Sequence, residues 1–110
     1  MKVVESFLEK GWGDSVDNPN EQDLKTAIEE TRKMDDEHGA FWVSVFGDND
    51  NEVVLEVSKS MKLTLILDPE NLDPETFNEK TKQAESWEQV FEQFKLLLTG
   101  DTDQIKEWIN

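Results

Sequence analysis

The chain holds one histidine, His38, and no cysteine. Thiol nucleophiles, disulfides, zinc-thiolate centres and iron–sulfur ligation are therefore out of reach, as is any site built on two imidazoles. His38 has the chemistry of a general base, but no motif sets a nucleophile beside it. A place at the C-terminal end of a helix, where imidazolium meets the negative end of the dipole, accounts for it as well. Asp48-Asn49-Asp50-Asn51-Glu52 alternates oxygen ligands as the start of a calcium loop does. Its sixth position would be Val53 instead of glycine and its twelfth Lys59 instead of a bidentate glutamate, so a solvated hairpin tip fits better. No P-loop, G-x-G-x-x-G or G-x-S-x-G occurs. These residues predict no enzymatic activity, no cofactor and no metal.

Charge offers more. Twenty-six acids against eleven bases leave a net charge of −15 on 110 residues. Such a chain repels phosphate backbones and anionic bilayers, so direct nucleic-acid and membrane binding are disfavoured. It attracts basic proteins and speeds their encounter. The acids run through the whole chain, with Trp12, Trp42, Trp87, Trp108 and six phenylalanines among them. That is the pattern of a folded domain with a charged surface, unlike an acidic tail.

Acid clusters and one tryptophan are the candidate partner-binding residues. The predicted hairpin tip carries Asp48, Asp50 and Glu52, and a later loop carries Glu70, Asp73 and Glu75. Asp35, Asp36 and Glu37 crowd the predicted C-terminal end of a helix, at a cost of roughly 0.3–1 kcal/mol each at an exposed site. Either the helix stops at Met34 and the cost vanishes, or the cluster serves to meet a cation. Trp12, between Gly11 and Gly13, either folds back onto the core or stands out as an interface anchor.

The elements that must position these residues follow from periodicity. Lys2 to Leu8 reads as a short strand, with helix as an alternative, and Gly11 to Asn20 as a loop. From Asn20, Leu24, Ala27, Ile28, Thr31 and Met34 make one helical stripe that Gly39 closes as a C′ residue. Phe41–Phe46, Val53–Val57 and Met61–Leu67 alternate with a period of two and read as an antiparallel meander, with Lys59-Ser60 a tight turn. Residues 75–83 fit a strand or a helical turn. Ser86 to Gln89 form a capping box for a helix presenting Trp87, Val90, Phe91, Phe94, Leu97 and Leu98. Gly100 stops it, and Asp101 caps a last short helix with Ile105, Trp108 and Ile109 on one side. The expected fold is a single α+β domain over residues 1–110, a mainly antiparallel sheet with helices packed on one face.

The segment Val90-Phe91-Glu92-Gln93-Phe94-Lys95-Leu96-Leu97-Leu98-Thr99-Gly100, with Ile105 and Trp108 after it, resembles the ending of an immunity-protein family. The family belongs to bacterial polymorphic toxin and contact-dependent inhibition systems. The order of elements over roughly residues 20–110 is similar too, although Asp101-Thr102-Asp103 stands where the family commonly has a proline. The resemblance implies a cytoplasmic, non-catalytic protein that neutralises a cognate toxin domain by stoichiometric binding. Together with the charge it points to a basic toxin of nuclease or deaminase type, bound by a monomer or weak dimer. The alternative is a phage- or plasmid-encoded nucleic-acid mimic that blocks a DNA-binding defence protein. A small enzyme or ligand-binding domain is a third reading, for which the sequence shows no convergent polar pocket.

Overall fold

The computed structural model describes residues 1–48, 51–67 and 79–110. In chain order the elements are β1 (Val3–Lys10), β2 (Ser15–Asp17), α1 (Glu21–Lys33), β3 (Ala40–Gly47), β4 (Glu52–Ser58), β5 (Lys62–Leu67), β6 (Glu79–Gln83), α2 (Trp87–Leu98) and α3 (Thr102–Ile109). The strands form one six-stranded sheet in the order β2-β1-β3-β4-β5-β6, with every neighbouring pair antiparallel. The fold is α+β.

Alternation decides which face is buried. Leu8, Val43, Leu55 and Leu65 lie in register across four strands, and Phe41, Val57 and Leu63 form the next row along. All seven are 0–1% exposed. The helices cover this face. Leu24, Ala27 and Ile28 of α1, Val90, Phe94 and Leu97 of α2, and Ile105 and Ile109 of α3 complete one core. Each large apolar side chain buried there contributes about 1.5–3 kcal/mol relative to an exposed one. Phe94 meets Phe41 at 4.8 Å between ring centroids, which locks α2 onto β3.

Local hydrogen bonding sets the element boundaries and revises several expectations. Gly11 to Asn20 is not all loop, because Ser15–Asp17 returns as a short strand against Phe7–Glu9. Asn18 finishes the edge: its N–H donates to the Ser6 carbonyl and its side-chain oxygen accepts from the Ser6 N–H. β1 is a strand throughout and runs on to Lys10, which removes the helical alternative. A reciprocal box starts α1: Asn20 Oδ1 accepts from the Asp23 N–H, and Asp23 accepts from the Asn20 N–H. The helix ends at Lys33 with Met34 extended, so Met34 caps the helix and Gly39 is not its C′ residue. Gly39 is needed for a close approach instead, since a Cβ there would lie 2.8 Å from the Asp35 carbonyl oxygen and from Lys59 Cβ.

Farther along, Met61 belongs to the β4–β5 turn with φ of 65°, and β5 begins at Lys62. Residues 79–83 form the edge strand β6, which settles that part of the ambiguous segment; 75–78 fall outside the described residues. Ser86 Oγ accepts from the Gln89 N–H, whereas the Gln89 side chain reaches the N–H of Glu85, one residue before the cap. At the α2 terminus Gly100 adopts φ of 81°, and the Gly100 and Asp101 N–H groups donate to Leu97 and Leu96. Asp101 makes no side-chain cap to α3; its carboxylate accepts from the Gln104 amide.

Candidate functional site

Among the described residues expected to bind a partner, Trp12 and the Asp35–Glu37 turn lie at one end of β3, where the Gly11 N–H donates to the Ala40 carbonyl, and Asp48 and Glu52 lie at the other. Trp12 sits on the β1–β2 turn, half-buried, with Lys10 Nζ 5.8 Å from its ring centroid. The same ammonium pairs with Glu30 of α1 at 2.7 Å, so Trp12 is tied to the helical side of the molecule. Asp35, Asp36 and Glu37 are exposed on the turn between α1 and β3. Because α1 stops at Lys33, they lie beyond its dipole, and no helix-end cost needs a function to explain it. Asp35 has a structural task there: it accepts from the His38 N–H at 2.8 Å and contacts the His38 ring at 2.9 Å. The backbone bond first, and the imidazole second, hold its carboxyl below the usual carboxylate range.

Asp48 and Glu52 flank the β3–β4 hairpin and line a cleft of about 400 Å³ with Met1, Val53, Thr102 and Lys106. This is the other end of β3 from Asp35, about 25 Å away along an eight-residue strand. Asp50, Glu70, Asp73 and Glu75 lie outside the described residues.

The sheet face turned away from the helices carries a more ordered arrangement. Three rows cross it. In the first, Phe46 of β3 stands between Glu5 of β1 and Glu52 of β4. The second runs Asp17, Phe7, Ser44, Val54, Ile66 and Glu79, apolar in the middle and acidic at both edges. The third places Trp42 directly between Glu9 and Glu56, with Thr64 and Thr81 beyond. Opposed side chains in such rows have Cβ atoms about 4.5–5.5 Å apart. Phe7 and Phe46 connect two rows edge to face, with centroids 5.9 Å apart at 80°.

No described helix packs on this face, and Phe7, Trp42, Phe46 and Ile66 each keep part of their surface in solvent. The result is an aromatic and aliphatic stripe rimmed by carboxylates. Strand alternation puts one described base on it, Lys62, at the Ser58 end of β5. The other strand lysines are used elsewhere: Lys10 on Glu30, Lys80 on Asn110 and Lys82 on the Trp108 carbonyl. Glu9 and Glu56 have no ion pair or hydrogen bond to their side chains among the described residues, although Glu56 is half-buried.

Chemically, such a face has the parts of a binding surface. It offers hydrophobic area to exclude water and negative charge to attract and orient a cation-bearing surface. Among the described residues no group of three or more histidine, aspartate or glutamate side chains is arranged to hold a metal ion. No described helix is long and apolar enough to cross a membrane.

Charge density directs attention to loops, which is why Glu52 alone of this face was among the expected site residues. Its signal is nonetheless in the alternation. Trp42, Phe46, Phe7 and Ile66 occupy the positions where a solvated sheet face carries polar residues, with Glu5, Glu9 and Glu56 in the same parity. Comparison of the chain with known protein families, curated protein sequences and solved structures yields no match.

Proposed function

We propose that this protein is a non-enzymatic inhibitor that captures a basic partner protein by stoichiometric binding, the role of an immunity protein towards a nuclease- or deaminase-type toxin domain. The observation that carries the reading is the open sheet face, where aromatic side chains alternate in register with carboxylates. A toxin acting on nucleic acid needs a basic groove for its substrate. A surface with an apolar centre and acidic rim occupies such a groove, adding fast encounter from charge to slow release from buried aromatics. The apolar centre favours this over a nucleic-acid mimic, whose surface would be acidic throughout. The resemblance of the Thr99-Gly100…Trp108 ending to immunity proteins supports the same reading. Those residues cap and pack helices and say nothing of the toxin. In the cell such an inhibitor works where the toxin's substrate lies, in the bacterial cytoplasm.

The test is co-expression with the product of the adjacent gene in a bacterial host. The expected result is rescue from toxicity, a one-to-one complex on size exclusion with light scattering, and loss of nuclease or deaminase activity at equimolar inhibitor. Absence of both protection and complex, or inhibition at far below one equivalent, overturns the proposal.

A further inference from the structure

Resting on the reading of the open face as the binding surface, we infer that the Glu9–Trp42–Glu56 row is an arginine-recognition site, and that the partner docks by laying an arginine side chain over Trp42. The row has the parts that a guanidinium uses. Trp42 supplies an aromatic surface for cation–π and stacking contact, and tryptophan is the strongest of the three aromatics in that role. Carboxylates stand on both sides in register, one on β1 and one on β4. Two strand spacings separate Glu9 from Glu56, about 10 Å, so one guanidinium on the indole reaches either carboxylate.

Burial argues for arginine over lysine. Glu56 is half-buried beside Trp42 and has no cation paired with it among the described residues. Lys62, one step diagonal to it in the ladder, forms no ion pair with it. A partner cation must therefore shed water to sit between Glu56 and the indole. Guanidinium is weakly hydrated and planar, whereas ammonium is a compact, strongly hydrated charge. The flanking Thr64 and Thr81, whose hydroxyls lie 3.4 Å apart, extend the row with neutral acceptors for further N–H groups. The other two rows lack this combination: Phe46 has carboxylates on both sides but a weaker ring for cations, and Val54 and Ile66 offer apolar contact alone.

The experiment uses two capped peptides of equal length, one alternating arginine with glycine and one alternating lysine with glycine. Each is titrated into the full chain at low and at high salt, followed by the indole N–H signals of the four tryptophans. The arginine peptide should shift the Trp42 signal selectively and bind about five- to tenfold more tightly than the lysine peptide, a preference that persists at high salt. Trp42→Ala and, as the milder change, Glu56→Gln should each remove about five- to tenfold of the arginine peptide's affinity. Glu107→Gln, exposed on α3 on the other side of the sheet, should change it little. Equal binding of the two peptides, an unmoved Trp42 signal, or unchanged affinity in a folded Glu56→Gln variant overturns the assignment. None of these results bears on rescue by co-expression, so a failed arginine site remains distinct from a failed inhibitor.

Discussion

Replacing Phe94 with alanine should be the most damaging single truncation in α2, and its size follows from where the ring sits. Phe94 is fully buried between α2 and the middle of the sheet, 4.8 Å from the equally buried Phe41. The strands below it are fixed by ladders on both sides, so the cavity cannot collapse far. Phenylalanine-to-alanine changes in such places cost about 3–5 kcal/mol, and the broken aromatic pair adds about 0.5–1.5 kcal/mol that the upper half of that range absorbs. A domain of this size has roughly 5–15 kcal/mol in all, so the variant loses a large share of its stability. With a urea slope of about 1–3 kcal/mol per molar, the midpoint should fall by about 2 M with the slope unchanged. Phe91→Ala is the internal control: this ring is only half-buried on the outer side of α2, and its loss should cost about half as much or less. Phe94→Leu with Phe41→Leu in a double-mutant cycle should show a coupling of about 0.5–1.5 kcal/mol. A loss below about 1 kcal/mol for Phe94→Ala, or equal losses at positions 91 and 94, would refute this account of the core.

Gly100→Ala forces a Cβ into a φ of 81° and against the Met1 carbonyl oxygen, and it displaces the terminal amino group that donates to the Gly100 carbonyl at 3.0 Å. Chemical denaturation should show a loss of about 2 kcal/mol, and a change under about 0.5 kcal/mol would contradict the geometry. Thr31 is fully buried and its hydroxyl has no hydrogen-bond partner among the described residues, so Thr31→Val should raise stability by about 0.5–1.5 kcal/mol; a comparable loss would contradict this. Asp35, whose carboxyl is held low by the His38 N–H and ring, contributes stability above its unfolded pKa, and this is lost as pH falls through its lower folded value. Carboxyl-carbon titration should place its midpoint below that of an aspartate in an unstructured peptide. His38→Ala should raise that midpoint only in part, because the residue 38 N–H remains.

Much of this architecture is legible in the sequence where one physical signal dominates. The alternations in β3, β4 and β5 and the apolar stripe of α2 each point one way, and apart from Val54 and Gln93 the buried residues are those the periods select. The boundaries read less well where two devices compete for the same residues. Gly39 looks like a helix terminator, yet Met34 ends α1 by turning extended, and the glycine is required by Lys59 packing from a turn twenty residues away. Ser15–Asp17 is too short and polar to announce a strand; it exists because Phe7–Glu9 offers an open edge and Asn18 completes the pairing. The same limit hid the open face. Glu9, Trp42 and Glu56 come from three strands separated by tens of residues, and only the register makes them neighbours. Clusters such as Asp35-Asp36-Glu37 are conspicuous in the sequence because they are contiguous, which is no guide to whether a surface binds anything.

A sheet face with four half-exposed aromatic and aliphatic side chains would ordinarily invite a second copy to cover it. Here the carboxylates decide against that outcome. Two open faces brought together would set Glu5, Glu9, Glu56 and their counterparts against one another across a drying interface, where like charges repel most strongly. The sheet's outer strands discourage pairing as well, β2 by having three residues and β6 by its two lysines and a glutamate. Under the proposed function the acidic rim would do two things with one set of side chains: keep an apolar surface from closing on itself, and leave that surface to a partner of opposite charge. Neutralising the rim should separate the effects, since Glu9→Gln with Glu56→Gln removes the repulsion while leaving the stripe intact. Light scattering at rising concentration should then show more self-association than the parent chain does. A double variant that stays as monodisperse as the parent would mean that something other than these carboxylates keeps the face apart from its own copies.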